Sequence, residues 1–194
     1  VNIKTGAIEI SGEQPVLDKF KSVGEIIFNK EITFHEYTHK RSNQHYSRAR
    51  LCSVDFARSI GDLRRNRWPD TLDRNHTWIL EKPDKYKYAW SFLEGFFDTR
   101  GSVSSFLGHD EKTPPHPVVY FSTTSTLGAN SLIEILSFVG IENAFLHRSK
   151  NTKEGVRGVV ISNLENVRNF AEHIRSSVPD KQEKLESYRD RIPH

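Results

Sequence analysis

The chain has no methionine, a single cysteine and no apolar run long enough to cross a membrane as a helix. Each shortage excludes something. Cys52 cannot form an internal disulfide, so packing and hydrogen bonds must hold the fold, and a reducing, intracellular setting such as cytoplasm, nucleoid or organelle is expected. A membrane-spanning helix takes about 18 or more consecutive apolar residues, which the sequence never supplies. No charged-then-apolar leader opens it, so secretion is not expected. A chain without methionine that starts at Val1 has either lost its initiator or begins inside a longer polypeptide. No glycine-rich phosphate loop is present. The nine histidines do not cluster at metal-binding spacing; His35 and His39 lie four apart, but in a stretch that reads as a strand. Cys52 has no evident histidine partner, so thiol catalysis finds no support either.

What is present is ordinary globular material. Of 194 residues, 36% are hydrophobic and 27% charged, enough for one domain or two small ones. The net charge of +3 says little, but its placement says more. Between His39 and Arg74, nine basic residues (Lys40, Arg41, Arg48, Arg50, Arg58, Arg64, Arg65, Arg67 and Arg74) stand against four acids, Asp55, Asp62, Asp70 and Asp73. That excess suits a polyanion, and a solvated basic face accounts for it as readily.

The C-terminal half is the easier to read. Tyr88 to Asp98 has the length and apolar content of a buried helix, with Gly101 as its stop. Ser102 to Leu107 alternates like a strand, His109 to Pro117 is a polar loop, and Val118 to Thr124 is β-branched and aromatic, hence a strand. Leu132, Ile135, Leu136 and Val139 mark a helix over Leu127 to Val139, closed by Gly140. Two strands, Asn143 to Ser149 and Val156 to Ser162, flank a turn. Leu164 to Ile174 is an amphipathic helix with Leu164, Val167, Phe170, Ala171 and Ile174 on one side.

The N-terminal half repeats part of that order. Ala7 to Ile10 reads as a strand and Val16 to Ile27 as a helix, with Leu17, Phe20, Val23 and Ile27 at helical spacing and Gly24 near its end. Strands follow at Ile32 to Lys40 and Tyr46 to Val54, then a helix at Phe56 to Leu63. Aligning Ser22-Val23-Gly24 with Phe138-Val139-Gly140 brings the two copies into register. The first copy then lacks the long apolar helix and the first strand. Residues 1–63 form this incomplete repeat, 64–87 a linker anchored by Trp68 and Trp78, and 88–194 the second repeat.

The segment Leu93-Glu94-Gly95-Phe96-Phe97-Asp98-Thr99-Arg100-Gly101 resembles the signature of the LAGLIDADG homing-endonuclease family. Leu93, Gly95, Asp98 and Gly101 match its first, third, sixth and ninth positions, and the element order that follows also fits. The resemblance implies an α+β fold of two pseudo-symmetric αββαββα repeats, whose antiparallel sheets form a saddle in the major groove of double-stranded DNA. It further implies signature helices that meet at the pseudo-twofold axis, where small residues such as Gly95 allow close approach. A second chain or an upstream segment would complete the first repeat.

Strand alternation then nominates residues facing DNA. With Ile32 and Phe34 inward, Thr33, His35, Tyr37, His39 and Arg41 point outward; with Ala49 and Leu51 inward, Arg48 and Arg50 do. In the second repeat, Ser102, Ser104, Ser122, Thr124, His147, Ser149 and Arg157 are the candidates. The plain alternative is an antiparallel sheet with one solvated face.

The resemblance also implies metal-dependent phosphodiester hydrolysis, with magnesium held by an acid at the eighth signature position of each helix. Here that position is Arg100, whose permanent positive charge cannot bind a hard cation. Asp98 at the sixth position and Lys181, where the family often has a basic residue, are the remaining catalytic candidates. The expectation is therefore sequence-specific duplex binding with lost or impaired cleavage, magnesium being required only if cleavage survives. Three alternatives stand beside it: an active or nicking endonuclease completed by another segment, a maturase-like intron RNA binder, and a protein-interaction domain.

Overall fold

The computed structural model describes residues 7–38, 45–53, 80, 83–106, 116–123, 125–148, 150 and 155–189. The chain divides into two compact units, Val1–Arg67 and Trp68–His194. The expected helix at Phe56 to Leu63 and the linker anchors Trp68 and Trp78 lie outside the described residues.

In the first unit, strand β1 (Ala7–Ser11) leads into helix α1 (Gln14–Phe28), followed by β2 (Thr33–Thr38) and β3 (His45–Cys52). The antiparallel sheet has the order β1-β3-β2. Pro15 sits in the first turn of α1, where its missing N–H costs nothing. The helix ends at Asn29, which takes a left-handed conformation with φ 46° and ψ 45°. Gly24 lies inside the helix, four residues before its last residue, Phe28. The counterpart of Gly140, which has φ +85°, is Asn29, and the repeat alignment expected from sequence shifts by five residues at this point. Gly24 serves packing instead: a Cβ there would stand 2.5 Å from Ile32 Cδ1.

That contact selects the buried side of α1. Leu17 is fully buried and Phe20 and Phe28 pack against the same small core of Ile8, Ile32, Ala49 and Leu51. Val23 and Ile27, expected inside, are 47% and 65% exposed. Two apolar stripes fit the helical period of this segment, and the Gly24–Ile32 approach favours the other one. A clasp then joins the helix to β2. Lys21 Nζ pairs with Glu25 at 2.6 Å and donates to the Ile32 carbonyl at 2.8 Å, while Ile32 N–H donates to Glu25 at 2.9 Å.

The second unit holds α2 (Lys85–Arg100), β4 (Gly101–Phe106), β5 (His116–Ser122), α3 (Thr126–Phe138), β6 (Phe145–Arg148), β7 (Val156–Ile161), α4 (Leu164–His173) and α5 (Pro179–Arg189). Its antiparallel sheet runs β4-β5-β7-β6. Removing β4 leaves β5-β7-β6, the order of β1-β3-β2 in the first unit, with a helix after the first strand in each case. The two units share this part of their topology. Side-chain caps start two of the helices: Ser125 accepts from Gly128 N–H at 3.1 Å, and Asn163 from Glu165 N–H at 2.8 Å. The sequence reading did not include α5. Its inward apolar residues are only Leu185 and Tyr188, too few to register as a period.

One face of this sheet carries the main core. Val103, Val119, Phe121, Val159 and Ile161 pack against Leu93 and Phe97 of α2, Leu132, Ile135 and Leu136 of α3, and Val167 and Phe170 of α4. At its centre Phe97, Phe121 and Phe170 meet edge to face, with centroids 5.4–6.1 Å apart. Gly101, directly after α2, is as constrained as any core residue. A Cβ there would come within 2.1 Å of the Phe97 ring and 2.7 Å of its carbonyl oxygen.

Two outcomes follow. Gly101→Ala should lower stability by about 1–3 kcal/mol, because the clash is partly with backbone and no rotamer relieves it; a thermal melt beside Gly95→Ala, whose Cβ meets nothing described within 4 Å, gives the comparison. Glu25 has its pKa held below the ordinary 4.5, first by the Ile32 N–H bond and then by Lys21. A depressed carboxylate pKa contributes stability that is present above the ordinary value and is lost as pH falls through the folded one. Glu25→Gln should therefore flatten the dependence of melting temperature on pH below about 4.5 and leave its shape near neutrality unchanged.

Candidate nucleic-acid interface

Each unit has a sheet with one face on helices and the other open. In the first unit, β2 and β3 pair Thr33 with Arg50, His35 with Arg48 and Tyr37 with Tyr46. The pairing of β1 with β3 sets Glu9 beside Arg50. Thr33, His35, Tyr37, Arg48 and Arg50 therefore share the face opposite buried Ala49 and Leu51, as strand alternation predicts. Phe34, on the inward side, is still 41% exposed because β2 is the edge strand. His39 and Arg41 lie outside the described residues.

The face is organised by charge and rings. The Arg48 guanidinium lies over the Tyr37 ring, 4.0 Å from its centroid. Arg48 and Arg50 both flank Glu9, at 3.7 and 3.8 Å. Thr33 Oγ1 and His35 Nε2 are 3.0 Å apart. Glu9 was not singled out from the sequence, since β1 by itself gives no hint of which neighbour it meets. The three side chains are 37–41% exposed, so these ion pairs hold the arginines only weakly.

In the second unit the register places Ser102 opposite Tyr120, Ser104 opposite Val118, Ser122 opposite Gly158, and His147 opposite Gly158 from the other side. Ser102, Ser104, Ser122 and His147 are all on the open face, as expected. Arg157 reaches it by a different route. The pairing of β6 and β7 slips between His147 and Arg148, so Arg157 has no register partner there, and its side chain lines the same concavity as Ser102 and His147. Thr124 and Ser149 lie outside the described residues.

The concavity has a volume of about 440 Å³. Sequence reasoning missed Tyr120, Val118, Val160, Phe145 and Ser162 in its lining. Tyr120 and Val118 share the parity of Ser122 and were legible from it, but their apolar character suggested the core. Tyr120 donates its hydroxyl to the Arg157 carbonyl at 2.6 Å and meets the His147 ring edge to face at 5.7 Å. Gly158 makes room for it, since a Cβ there would lie 2.7 Å from the Tyr120 hydroxyl and 2.2 Å from the Phe121 carbonyl. Burial pushes the Tyr120 pKa above its ordinary 10.0, against the Arg157 charge and a Ser122 hydrogen bond that both lower it. The phenol therefore remains a donor at neutral pH.

The end of α2 is built differently. Asp98 is buried, and its carboxylate accepts from Ser176 Oγ at 2.7 Å, from Ser177 N–H at 3.1 Å and from Ser177 Oγ. Lys181 donates to the carbonyls of Phe97 and Asp98 at 3.1 and 2.7 Å. A lysine there complements the negative end of the helix dipole. Asp98 and Lys181 thus come together and tie α2 to the start of α5. Arg100 is exposed in the last turn of α2.

A family model described as "LAGLIDADG-like domain" matches residues 87–175. Residues 87–175 form a LAGLIDADG-like domain. Solved structures of similar fold extend over more of the chain. Full-length DUF199/WhiA from Thermatoga maritima is 13% identical with a TM-score of 0.54, covering 100% of this chain and 57% of its own. The N-terminal LAGLIDADG domain of DUF199/WhiA is 14% identical with a TM-score of 0.51, covering 89% of this chain and 77% of its own. The LAGLIDADG meganuclease I-AabMI, solved bound to uncleaved DNA, is 10% identical with a TM-score of 0.52, covering 94% of this chain and 78% of its own. At these identities the likeness is one of fold. The chain spans just over half the length of full-length WhiA. No curated protein matches. The family implies magnesium at the end of α2, and the described donors there do not fit it: Arg100 is a cation, and the Asp98 oxygens already accept from Ser176 and Ser177.

The Asp98 joint yields a prediction. Asp98→Ala should cost about 1–3 kcal/mol, because the half-buried donors of Ser176 and Ser177 lose their acceptor. Arg100→Ala, at an exposed position, should stay within about 0.5 kcal/mol of the parent. Denaturant melts of the two variants check the contrast, and equal losses would remove Asp98 from this role.

Proposed function

We propose that the chain is a sequence-specific double-stranded-DNA-binding protein on a LAGLIDADG scaffold, without magnesium-dependent cleavage at the end of α2. The observation that carries it is the pair of open sheet faces. One presents His35, Tyr37, Arg48 and Arg50, the other Ser102, Ser104, His147 and Arg157, while the opposite face of each sheet is spent on its own core. An antiparallel sheet is narrow enough for the major groove, where cationic side chains contact phosphates and hydroxyl and imidazole groups reach base edges. The meganuclease of similar fold was solved on DNA, which supports the reading.

Donor chemistry supports a loss of cleavage. Arg100 would repel a divalent cation and suits a phosphate oxygen instead. Gly95 is exposed, with nothing described within 4 Å of where its Cβ would stand, which favours a further helix against α2 from another segment or a second chain. Such a partner completes the first repeat in this reading.

Selection from a pool of random duplexes without metal should enrich a long site. Winners incubated with magnesium or manganese should stay intact; a cut or nicked site would show that other residues hold the metal. The double variant Arg48→Ala/Arg50→Ala should weaken all duplexes and lower the slope of log affinity against log salt by about 2. An unchanged slope would take both arginines out of the interface.

A further inference from the structure

We infer that the open face of the β4-β5-β7-β6 sheet reads thymine through its 5-methyl group. The inference rests on the duplex-binding reading above and assigns what one half of that interface recognises.

The open face of a solvated sheet ordinarily alternates to polar residues. Here its centre is apolar. Val118 and Val160 are each 8% exposed, and Phe145, opposite Val160 on the edge strand, is 48% exposed. Together they line the concavity with Tyr120 as a neighbour of Val160. The tyrosine is pinned by its bond to the Arg157 carbonyl and by the room that Gly158 leaves, so this side of the concavity is fixed before any ligand arrives. Around the apolar patch stand hydroxyls of Ser102, Ser104 and Ser162, and the cationic Arg157. No acid is among the described lining residues.

This pairing of apolar floor and donor rim complements one base edge. In the major groove thymine presents a methyl group beside a carbonyl acceptor, whereas cytosine presents an amino donor and no methyl. Directly over Val118 and Val160 the amino group would lose water against carbon alone, with only the rim hydroxyls left to accept from it. The methyl loses nothing there and buries apolar area. The cationic, acid-free rim selects a polyanion over an apolar peptide as the occupant. Unpaired bases stacking on Phe145 would be the rival occupant, and the test separates the two.

The measurement is fluorescence anisotropy of the full chain with a duplex selected from random sequence, and with the same duplex made with deoxyuridine in place of thymidine. That exchange removes only the methyl groups. Each contacted methyl should make the uracil duplex bind about fourfold more weakly. Phe145→Ala and Val160→Thr should each bring that ratio close to one. Arg48→Ala/Arg50→Ala should weaken both duplexes alike and keep the ratio. Equal binding of the two parent duplexes overturns the methyl reading and leaves duplex binding standing. A ratio that survives both Phe145→Ala and Val160→Thr overturns its assignment to this face. Failure to enrich any duplex, or tighter binding of the separated strand, overturns both this inference and the function it rests on.

Discussion

The three buried rings of Phe97, Phe121 and Phe170 hold the second unit together, because each comes from a different element. Phe97 is the fifth residue of the signature segment, Phe121 lies on an inner strand, and Phe170 is on α4. Edge-to-face packing sets the rings at 69–83° to one another, which fixes orientation as well as distance. The open face of the second unit is placed relative to this cluster. Phe121 inward means Tyr120 and Ser122 outward, and Phe97 inward puts Asp98 against Ser176 and Ser177. Gly101 lets the chain leave α2 across the Phe97 ring and enter β4 in the register that turns Ser102 and Ser104 to the open face.

The first unit relies on a lighter version of the same arrangement. Among the described residues its core cluster has five buried apolar side chains and no buried aromatic, and a polar clasp of Lys21, Glu25 and Ile32 supplements it. The open faces differ accordingly. That of the first unit is charged and aromatic, with Arg48 and Arg50 balanced on Glu9. That of the second is apolar at the centre and polar at the rim. Two sheets that share a three-strand order thus present unlike chemistry.

Much of this was legible in the residues. Strand parity placed Thr33, His35, Tyr37, Arg48, Arg50, Ser102, Ser104, Ser122 and His147 on open faces, because alternation within a strand is a local property. Three readings failed for non-local reasons. Val23 and Ile27 fit a helical stripe, but the strands beneath α1 accept the stripe containing Gly24. The repeat alignment set Gly24 against Gly140, yet Asn29 takes the left-handed turn, a conformation asparagine tolerates. The helix α5 has too little apolar periodicity to be seen, since it is held by Asp98, Lys181 and two apolar residues.

By itself the sequence determined the element order of the described residues as far as α4 and the outward set of each regular strand. These depend on residue identity and on periods of 2 and 3.6, which need no knowledge of neighbours. Only the tertiary structure decided which strand meets which, and hence that Glu9 sits between two arginines, that a bulge brings Arg157 to the open face, and that Val118, Val160 and Phe145 gather into one apolar patch. Those residues are 27 to 42 positions apart in the chain where they span β5 and the β6–β7 pair. Register brings them together, and register is set by how the far faces of the strands pack into the core.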